Sequence, residues 1–142
     1  RLYVMADDGA LHCFASTGVD ASAPTIESET PLSATEMNGT PPILMGAIVS
    51  DEGSGINPST VKMTLDGNPV EAAYHANTGW VTYRTQVTQP VELMEEGRHN
   101  VTLTVADWKG NTASRTWSFV IDNKLATSVI ITPTKPLVQP TP

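Results

Sequence analysis

Three carboxylates near the ends of two predicted strands have the clearest chemical potential in this 142-residue sequence. Asp51 and Glu52 follow one apolar alternation, and Asp107 follows another. In a sandwich of two antiparallel sheets the loops after these strands lie at the same end, and Ca²⁺ takes roughly six to eight oxygen ligands. The sequence therefore predicts a calcium site at Asp51, Glu52 and Asp107. The alternative is that Asp51 and Asp107 accept backbone N–H groups and shape glycine-containing turns.

Two tryptophans are predicted to face outwards. Trp80 shares its strand face with Thr82 and Arg84, whereas Trp108 lies in a turn. Exposed indoles stack on sugar rings or anchor protein interfaces, so Trp80 and Trp108 are candidate ligand or interface residues for a glycan or protein surface. The alternative is partial burial against a loop or a neighbouring module. Trp117 alternates in phase with the apolar residues of the last strand and is assigned to the core.

The sequence contains no arrangement typical of catalysis. Cys13 has no cationic cluster beside it to lower the pKa of its thiol. The three histidines lack the spacing of a zinc pair, and no serine lies in a Gly-x-Ser-x-Gly turn. His99 is assigned a structural role, bonding to nearby backbone. We therefore predict that the chain is not an enzyme, has no catalytic residue and binds no cofactor apart from the candidate calcium ion.

The charge balance limits the choice of partners. Fifteen acidic against eight basic side chains give a formal net charge of −7. Nucleic acids and anionic membranes would be repelled by this charge. The longest apolar run, Ile43 to Val49, is far shorter than the roughly 20 residues of a membrane-spanning helix. We therefore predict neither nucleic-acid binding nor membrane insertion.

Period-two alternation of apolar residues predicts an all-β protein with about seven short strands separated by turn signals. The cleanest alternation places Val101, Leu103 and Val105 on one face. The segment from Pro24 to Leu32 predicts an irregular edge strand, because proline cannot donate to a sheet ladder. The other strands are expected at Ile43–Val49, Val61–Leu65, Val70–Tyr74, Val81–Tyr83 and Trp117–Ile121. Such strands pack as an antiparallel β-sandwich.

Residues 24–123 resemble the bacterial Ig-like modules that occur in tandem in secreted and surface proteins. The motifs that carry the resemblance are Asp51-x-Gly-Ser-Gly-Ile56, Val61-x-Met-x-Leu-Asp-Gly67, and Asp107-x-x-Gly-Asn111. The resemblance implies an Ig-like or fibronectin type III-like sandwich located outside the cell or at its surface. It also implies a non-catalytic spacer, adhesion or interaction module whose partners are neighbouring domains of the same chain.

The first eighteen residues predict a separate β-hairpin with a two-residue turn at Asp8-Gly9. Their Leu-Tyr-Val, Asp-Gly-x-Leu and Ser-Thr-Gly pieces resemble the repeat of PQQ-type, quinoprotein-like β-propellers. This resemblance implies an alternative function as an accessory domain of a propeller enzyme, and a carbohydrate-binding module is a further alternative. Unpaired strands at residues 1–18 would also favour a dimer between copies. Residues 19–23 are assigned to a linker and 124–142 to a Pro/Thr-rich linker or the start of a following module.

Overall fold

The computed structural model describes residues 2–5, 9–14 and 19–125. Strands β1 (Leu2–Met5) and β2 (Leu11–Phe14) form a two-stranded antiparallel sheet. In this described part of the chain, no helix is long and apolar enough to cross a membrane. The predicted linker or following module beyond residue 125 lies outside the described residues, as does the Ser-Thr-Gly piece at 16–18.

Nine strands between residues 25 and 121 build two packed sheets. They are β3 (Thr25–Thr30), β4 (Glu36–Met37), β5 (Leu44–Ser50), β6 (Lys62–Leu65), β7 (Asn68–Val70), β8 (Ala73–His75), β9 (Trp80–Arg84), β10 (Gly97–Ala106) and β11 (Thr112–Ile121). One sheet has the order β4-β11-β10-β6-β7, and the other has the order β3-β5-β9-β8. A 3-10 turn at Pro58–Thr60 precedes β6. The predicted all-β sandwich is confirmed.

The core lies between the inner faces of the two sheets, where the alternating apolar residues meet. Val101, Leu103 and Val105 of β10 are fully buried, as their period-two spacing predicts. Trp117 is also buried in this core. The remaining buried apolar residues are Ile43, Met45, Ala47, Val49, Met63, Val81, Phe119 and Ile121. Each comes from a segment predicted as a strand, so the core was correctly predicted.

Three details of the strands differ from the sequence prediction. The chain crosses from one sheet to the other at Glu71–Ala72, so the strand predicted at Val70–Tyr74 is two strands, β7 and β8. Strand β4 was not predicted, because two residues give no periodic signal. It pairs in parallel with β11, so the five-stranded sheet is mixed and not purely antiparallel. The sandwich therefore has nine strands where about seven were predicted.

The predicted hairpin at the start of the chain is described in its two strands. Their pairing runs from Leu2 with Phe14 to Met5 with Leu11, and Asp8 of the predicted two-residue turn lies outside the described residues. Gly9 has a φ of 79°, a left-handed conformation that glycine adopts without steric cost.

The strands define two opposite ends of the sandwich. β5 and β10 both finish at one end, next to Asp51 and Asp107. Thr25, the first residue of β3, pairs with Ser50 at this same end. β11 runs away from it and finishes at Ile121, which pairs with Gly97 at the other end. We refer to these as the Asp107 end and the Ile121 end.

Candidate functional site

The Asp107 end brings three carboxylates together, as predicted for Asp51 and Asp107. Asp20, Asp51 and Asp107 each offer an oxygen, and these oxygens lie within 4.8 Å of one another. The third member is Asp20, from the segment before β3, and not the predicted Glu52. Glu52 is exposed and stands outside this group. We call Asp20, Asp51 and Asp107 the carboxylate cluster.

Asp107 forms the buried base of the carboxylate cluster, with an exposed fraction of only 1%. Its Oδ1 accepts hydrogen bonds from the backbone N–H groups of Lys109 (2.7 Å) and Asn111 (2.9 Å). Its Oδ2 accepts a 2.6 Å bond from Asn111 Nδ2. Burial alone would raise the pKa of Asp107, but the bonds from Asn111, Lys109 and Gly110 outweigh it and lower the pKa. Asp107 is therefore held as a carboxylate.

Asp51 has one satisfied and one unsatisfied oxygen. Its Oδ2 accepts hydrogen bonds from the backbone N–H groups of Gly53 (3.1 Å) and Gly55 (2.7 Å). These bonds shape the loop after β5, which is the turn-forming role considered for Asp51 in the sequence. Its Oδ1 is buried and has no hydrogen-bond partner among the described residues. A buried carboxylate oxygen without a partner is costly, so this atom is suited to meeting a cation.

Asp20 ties the incoming segment to the sandwich. Its Oδ2 accepts a 2.7 Å bond from the Ser54 N–H, and its backbone oxygen accepts a 3.1 Å bond from Asn111 Nδ2. A Cβ added at Gly53 would lie 2.3 Å from Oδ2 of Asp20, so the glycine gives this carboxylate its space. Sequence reasoning missed Asp20, because a lone aspartate in a segment without apolar alternation gives no signal of a long-range contact.

The donor chemistry of the carboxylate cluster fits Ca²⁺. Three carboxylates provide three oxygens of the type that this hard cation prefers, and solvent or backbone oxygens complete such sites. Two of the six carboxylate oxygens, Asp107 Oδ1 and Asp51 Oδ2, already accept two backbone N–H bonds each. Asp51 Oδ1 is free of such bonds. The two alternatives considered for Asp51 and Asp107 are therefore compatible. The same side chains accept backbone N–H groups in turns and place negative charge where a cation could bind.

Trp80 and Trp108 occupy different places. Trp108 is 63% exposed in the turn after Asp107. Trp80 is half-buried on the outer face of the four-stranded sheet, where it lines a groove of about 390 Å³. The other groove residues are Leu44, His75, Thr78, Thr82 and Arg84. We call this set the β9 groove, and Trp108 is not part of it. Sequence reasoning found Trp80 and Arg84 on one face but had no signal for His75.

His99 has a structural place, as the sequence suggested. Its Nε2 lies 2.9 Å from the Glu95 carbonyl oxygen, and its Nδ1 lies 2.7 Å from Asp66 Oδ2. Its ring stacks on Phe119, with ring centroids 5.6 Å apart.

A smaller cavity of about 200 Å³ near the Ile121 end is lined by residues including Thr88, Glu92 and Leu93.

Comparisons with known proteins bear on the fold. No protein-family model and no curated protein matches the chain. Among solved structures it is similar to CopC from Methylosinus trichosporium OB3b, at 16% identity and a TM-score of 0.51, covering 70% of this chain and 93% of that one. It is also similar to dimeric latent PorU from Porphyromonas gingivalis, at 25% identity and a TM-score of 0.54, covering 75% of this chain and 11% of PorU.

A third similar structure contains the fibronectin(III)-like modules of Clostridium thermocellum CbhA, at 16% identity and a TM-score of 0.52. That match covers 89% of this chain and 63% of the CbhA chain. These similarities support the Ig-like, fibronectin type III-like sandwich that the sequence predicted. The resemblance of residues 1–18 to a propeller repeat stays a prediction, as do the domain boundaries.

Proposed function

We propose that the chain is a non-catalytic spacer or interaction module of a larger extracellular bacterial protein. The similar structures support an accessory role, because this fold occurs as modules in CbhA and matches 11% of the length of PorU. Folds of this class host many functions, so the proposal depends on the geometry of this chain.

The observation that carries the proposal is the path of the polypeptide through the sandwich. The chain enters at the Asp107 end, where Asp20 bonds to Ser54 and Asn111. It leaves at the Ile121 end, where Asn123 Nδ2 donates a 3.0 Å bond to the Met94 carbonyl oxygen. The ten-residue strands between these ends span roughly 33 Å. A module anchored at both ends in this way separates the domains on either side by a fixed distance.

The side-chain groupings of the described residues give no support for a catalytic role. His75 Nε2 lies 3.5 Å from the Thr82 hydroxyl, which is a nucleophile–base pair by residue type. Within the described chain, no carboxylate bonds to the other ring nitrogen of His75, so the acid that orients the base in a hydrolytic triad is missing. His99 bonds to a carboxylate, but in the described part of the chain its two ring nitrogens bond to Asp66 and to the Glu95 carbonyl oxygen and to no hydroxyl or thiol.

A distance measurement tests the spacer proposal. Spin labels are attached at Ser22→Cys and Lys124→Cys in a Cys13→Ser background, since both labelled positions are exposed. We expect one narrow distance distribution centred at roughly 30–40 Å, and a broad one in denaturant. A broad or multiple distribution in native buffer would contradict a module that holds its two ends at a fixed separation.

The extracellular placement has its own test. Intact cells that produce the parent protein are treated briefly with protease. We expect release of peptides from residues 19–125 while a cytoplasmic marker stays intact. Release of these peptides only after cell lysis would contradict the placement.

Asp51 Oδ1, which is buried and has no partner within the described part of the chain, favours a second function, calcium binding at the carboxylate cluster. An ion shared by Asp20 and the two loop carboxylates would strengthen the attachment of the incoming segment to the sandwich. A ligand that binds only the folded state raises the free energy of unfolding. The increase is about 2.7 kcal/mol when the free ligand concentration is one hundred times the ligand's Kd. Calcium is therefore expected to raise the melting temperature by several degrees.

Melting in calcium and in chelator tests this second function. Asp51→Asn and Asp20→Asn are expected to abolish the calcium-dependent rise in melting temperature. Glu52→Gln is the matched control, since Glu52 is a neighbouring carboxylate outside the carboxylate cluster. Calcium should raise the melting temperature of this variant as much as that of the parent protein. An unchanged melting temperature of the parent protein in calcium would overturn the calcium function and leave the spacer proposal untouched.

A further inference from the structure

The β9 groove has a shape that follows from the side chains across three paired strands. Trp80 pairs with Ile48 and His75 at one end of the groove, and Arg84 pairs with Leu44 at the other. Cross-strand partners share a face of the sheet, so these side chains project together. In the middle, Thr82 pairs with Gly46 and Ala73. Small residues between two bulky rows leave a depression on the outer face.

The groove also has an uneven charge. Its lining contains the Arg84 guanidinium and the His75 imidazole and no carboxylate, in a chain whose net charge is −7. Among the residues that the structure describes, Arg84 makes no ion pair, whereas Arg115 pairs with Glu29 at 2.9 Å. An exposed guanidinium presents donors in a planar fork that matches a carboxylate.

We propose that the β9 groove binds an acidic oligosaccharide, with a sugar ring on Trp80 and a uronate carboxylate at Arg84. The indole offers a flat apolar surface for the apolar face of a pyranose. The hydroxyls of Thr78 and Thr82 lie in the same lining and are both donors and acceptors for sugar hydroxyls. Trp80 and Arg84 are four residues apart on one strand, about 13 Å, so the ligand spans more than one ring.

A peptide is a poorer fit to the same groove. Extended peptides bind sheets by pairing with the free backbone groups of an edge strand. β9 lies between β5 and β8 and pairs with both, so its backbone groups are used within the sheet. The groove therefore offers side chains only, which favours a ligand recognised through ring stacking, hydroxyls and charge.

Affinity measurements with three probes test the proposal. The probes are oligomers of galacturonate, the same oligomers as methyl esters, and polyglutamate. We expect the parent chain to bind galacturonate oligomers at least tenfold more tightly than either of the others, with affinity falling as salt rises. No binding of the uronate, or equal binding of polyglutamate, would overturn the proposal. Equal binding of the methyl ester would also overturn it, because the site would not recognise charge.

Matched variants locate the site. Trp80→Ala should reduce uronate affinity at least tenfold, while Trp108→Ala, which removes an exposed indole outside the groove, should leave it unchanged. Arg84→Gln should remove the preference for the acid over its ester. Arg98→Gln is the control, since Arg98 lies on β10 of the other sheet. Unchanged melting temperatures show that the variants fold. If Trp108→Ala weakens binding and Trp80→Ala does not, the groove assignment is wrong.

Discussion

His99 connects three parts of the chain through a single ring. Asp66 Oδ2 and the Glu95 carbonyl oxygen both accept, so a ring that donates from both nitrogens satisfies them best. Burial by itself lowers the pKa of His99, but the bonds to Asp66 and Glu95 together raise it. Asp66 is also held by a 2.8 Å bond from the Asn100 N–H. The β6–β7 turn is thus joined to β10 through a charge-assisted contact.

The raised pKa of His99 predicts that stability falls as pH rises. The folded state holds the proton more tightly than the unfolded state, so unfolding releases a proton between the two pKa values. The contribution of His99 to the free energy of unfolding is fully present below about pH 6.5, and it is lost as pH rises through the folded-state pKa of His99. Urea unfolding at several pH values between 5.5 and 9 should show a decline of at most about 1.4 kcal/mol per pH unit.

Two substitutions isolate this contribution. His99→Gln should flatten the decline, because the neutral amide does not titrate. His75→Gln should keep it, since His75 is exposed and, among the residues that the structure describes, its ring has a hydrogen-bond partner only in the Thr82 hydroxyl, at 3.5 Å. If the two variants show the same pH dependence, His99 is not its source.

At the scale of elements, the long β10–β11 hairpin is where sequence and structure agree best. Its ten paired positions alternate between buried and accessible side chains along most of their length. Val101 faces Trp117 and His99 faces Phe119 on the inner side. Outward-facing threonines pair across the strands, with Thr102 and Thr116 hydroxyls 2.8 Å apart. An alternation sustained over so many residues specifies both the strand and the face it buries.

Short elements could not be predicted because their positions depend on distant partners. β4 consists of Glu36 and Met37, and its backbone pairs with residues more than eighty positions later. The crossing at Glu71–Ala72 interrupts a run that reads as one strand. Nothing local distinguishes these segments from loops, since a single pair of residues has no period.

The central strand β5 predicts a strong effect of a small substitution. A Cβ at Gly46 would lie 2.3 Å from the backbone oxygen of Val81 on the neighbouring strand, which cannot move without disturbing the ladder. Gly46→Ala should lower the free energy of unfolding by at least about 2 kcal/mol, measured by urea unfolding. A Cβ at Gly67 would meet no atom within 4 Å, and only the φ of 81° disfavours a side chain there. Gly67→Ala should therefore lower the free energy of unfolding by about 1 kcal/mol. Equal costs would contradict the steric explanation.

At the scale of the whole molecule, the two ends of the sandwich differ in character. The Asp107 end carries the carboxylate cluster and the exposed Trp108. Several large apolar side chains are exposed in the loop that leads to the Ile121 end, including Val87, Val91 and Leu93. The proposed spacer would therefore present different surfaces at its two ends, one rich in carboxylates and the other in exposed apolar side chains.

Only part of the carboxylate cluster could be predicted from the sequence. Asp51 and Asp107 could be placed at one end because each follows a strand whose alternation is readable. Asp20 could not, because its position is set by bonds to Ser54 and Asn111, which lie 34 and 91 residues later. A contact of this kind is fixed by the assembled sandwich and has no signature in the local sequence.

The space above Gly53 provides a test of how Asp20 fixes the entry of the chain. Gly53→Ala would place a methyl group 2.3 Å from Oδ2 of Asp20 and push that carboxylate away from the Ser54 N–H. The core is untouched, so the melting temperature in chelator should change little. The distance distribution between labels at Ser22→Cys and Lys124→Cys should broaden, because the incoming segment loses its side-chain anchor. Glu52→Ala, an exposed neighbour, should leave it narrow. If Gly53→Ala also leaves it narrow, the anchor resides in the Asn111 bond to the backbone of Asp20 and not in the carboxylate.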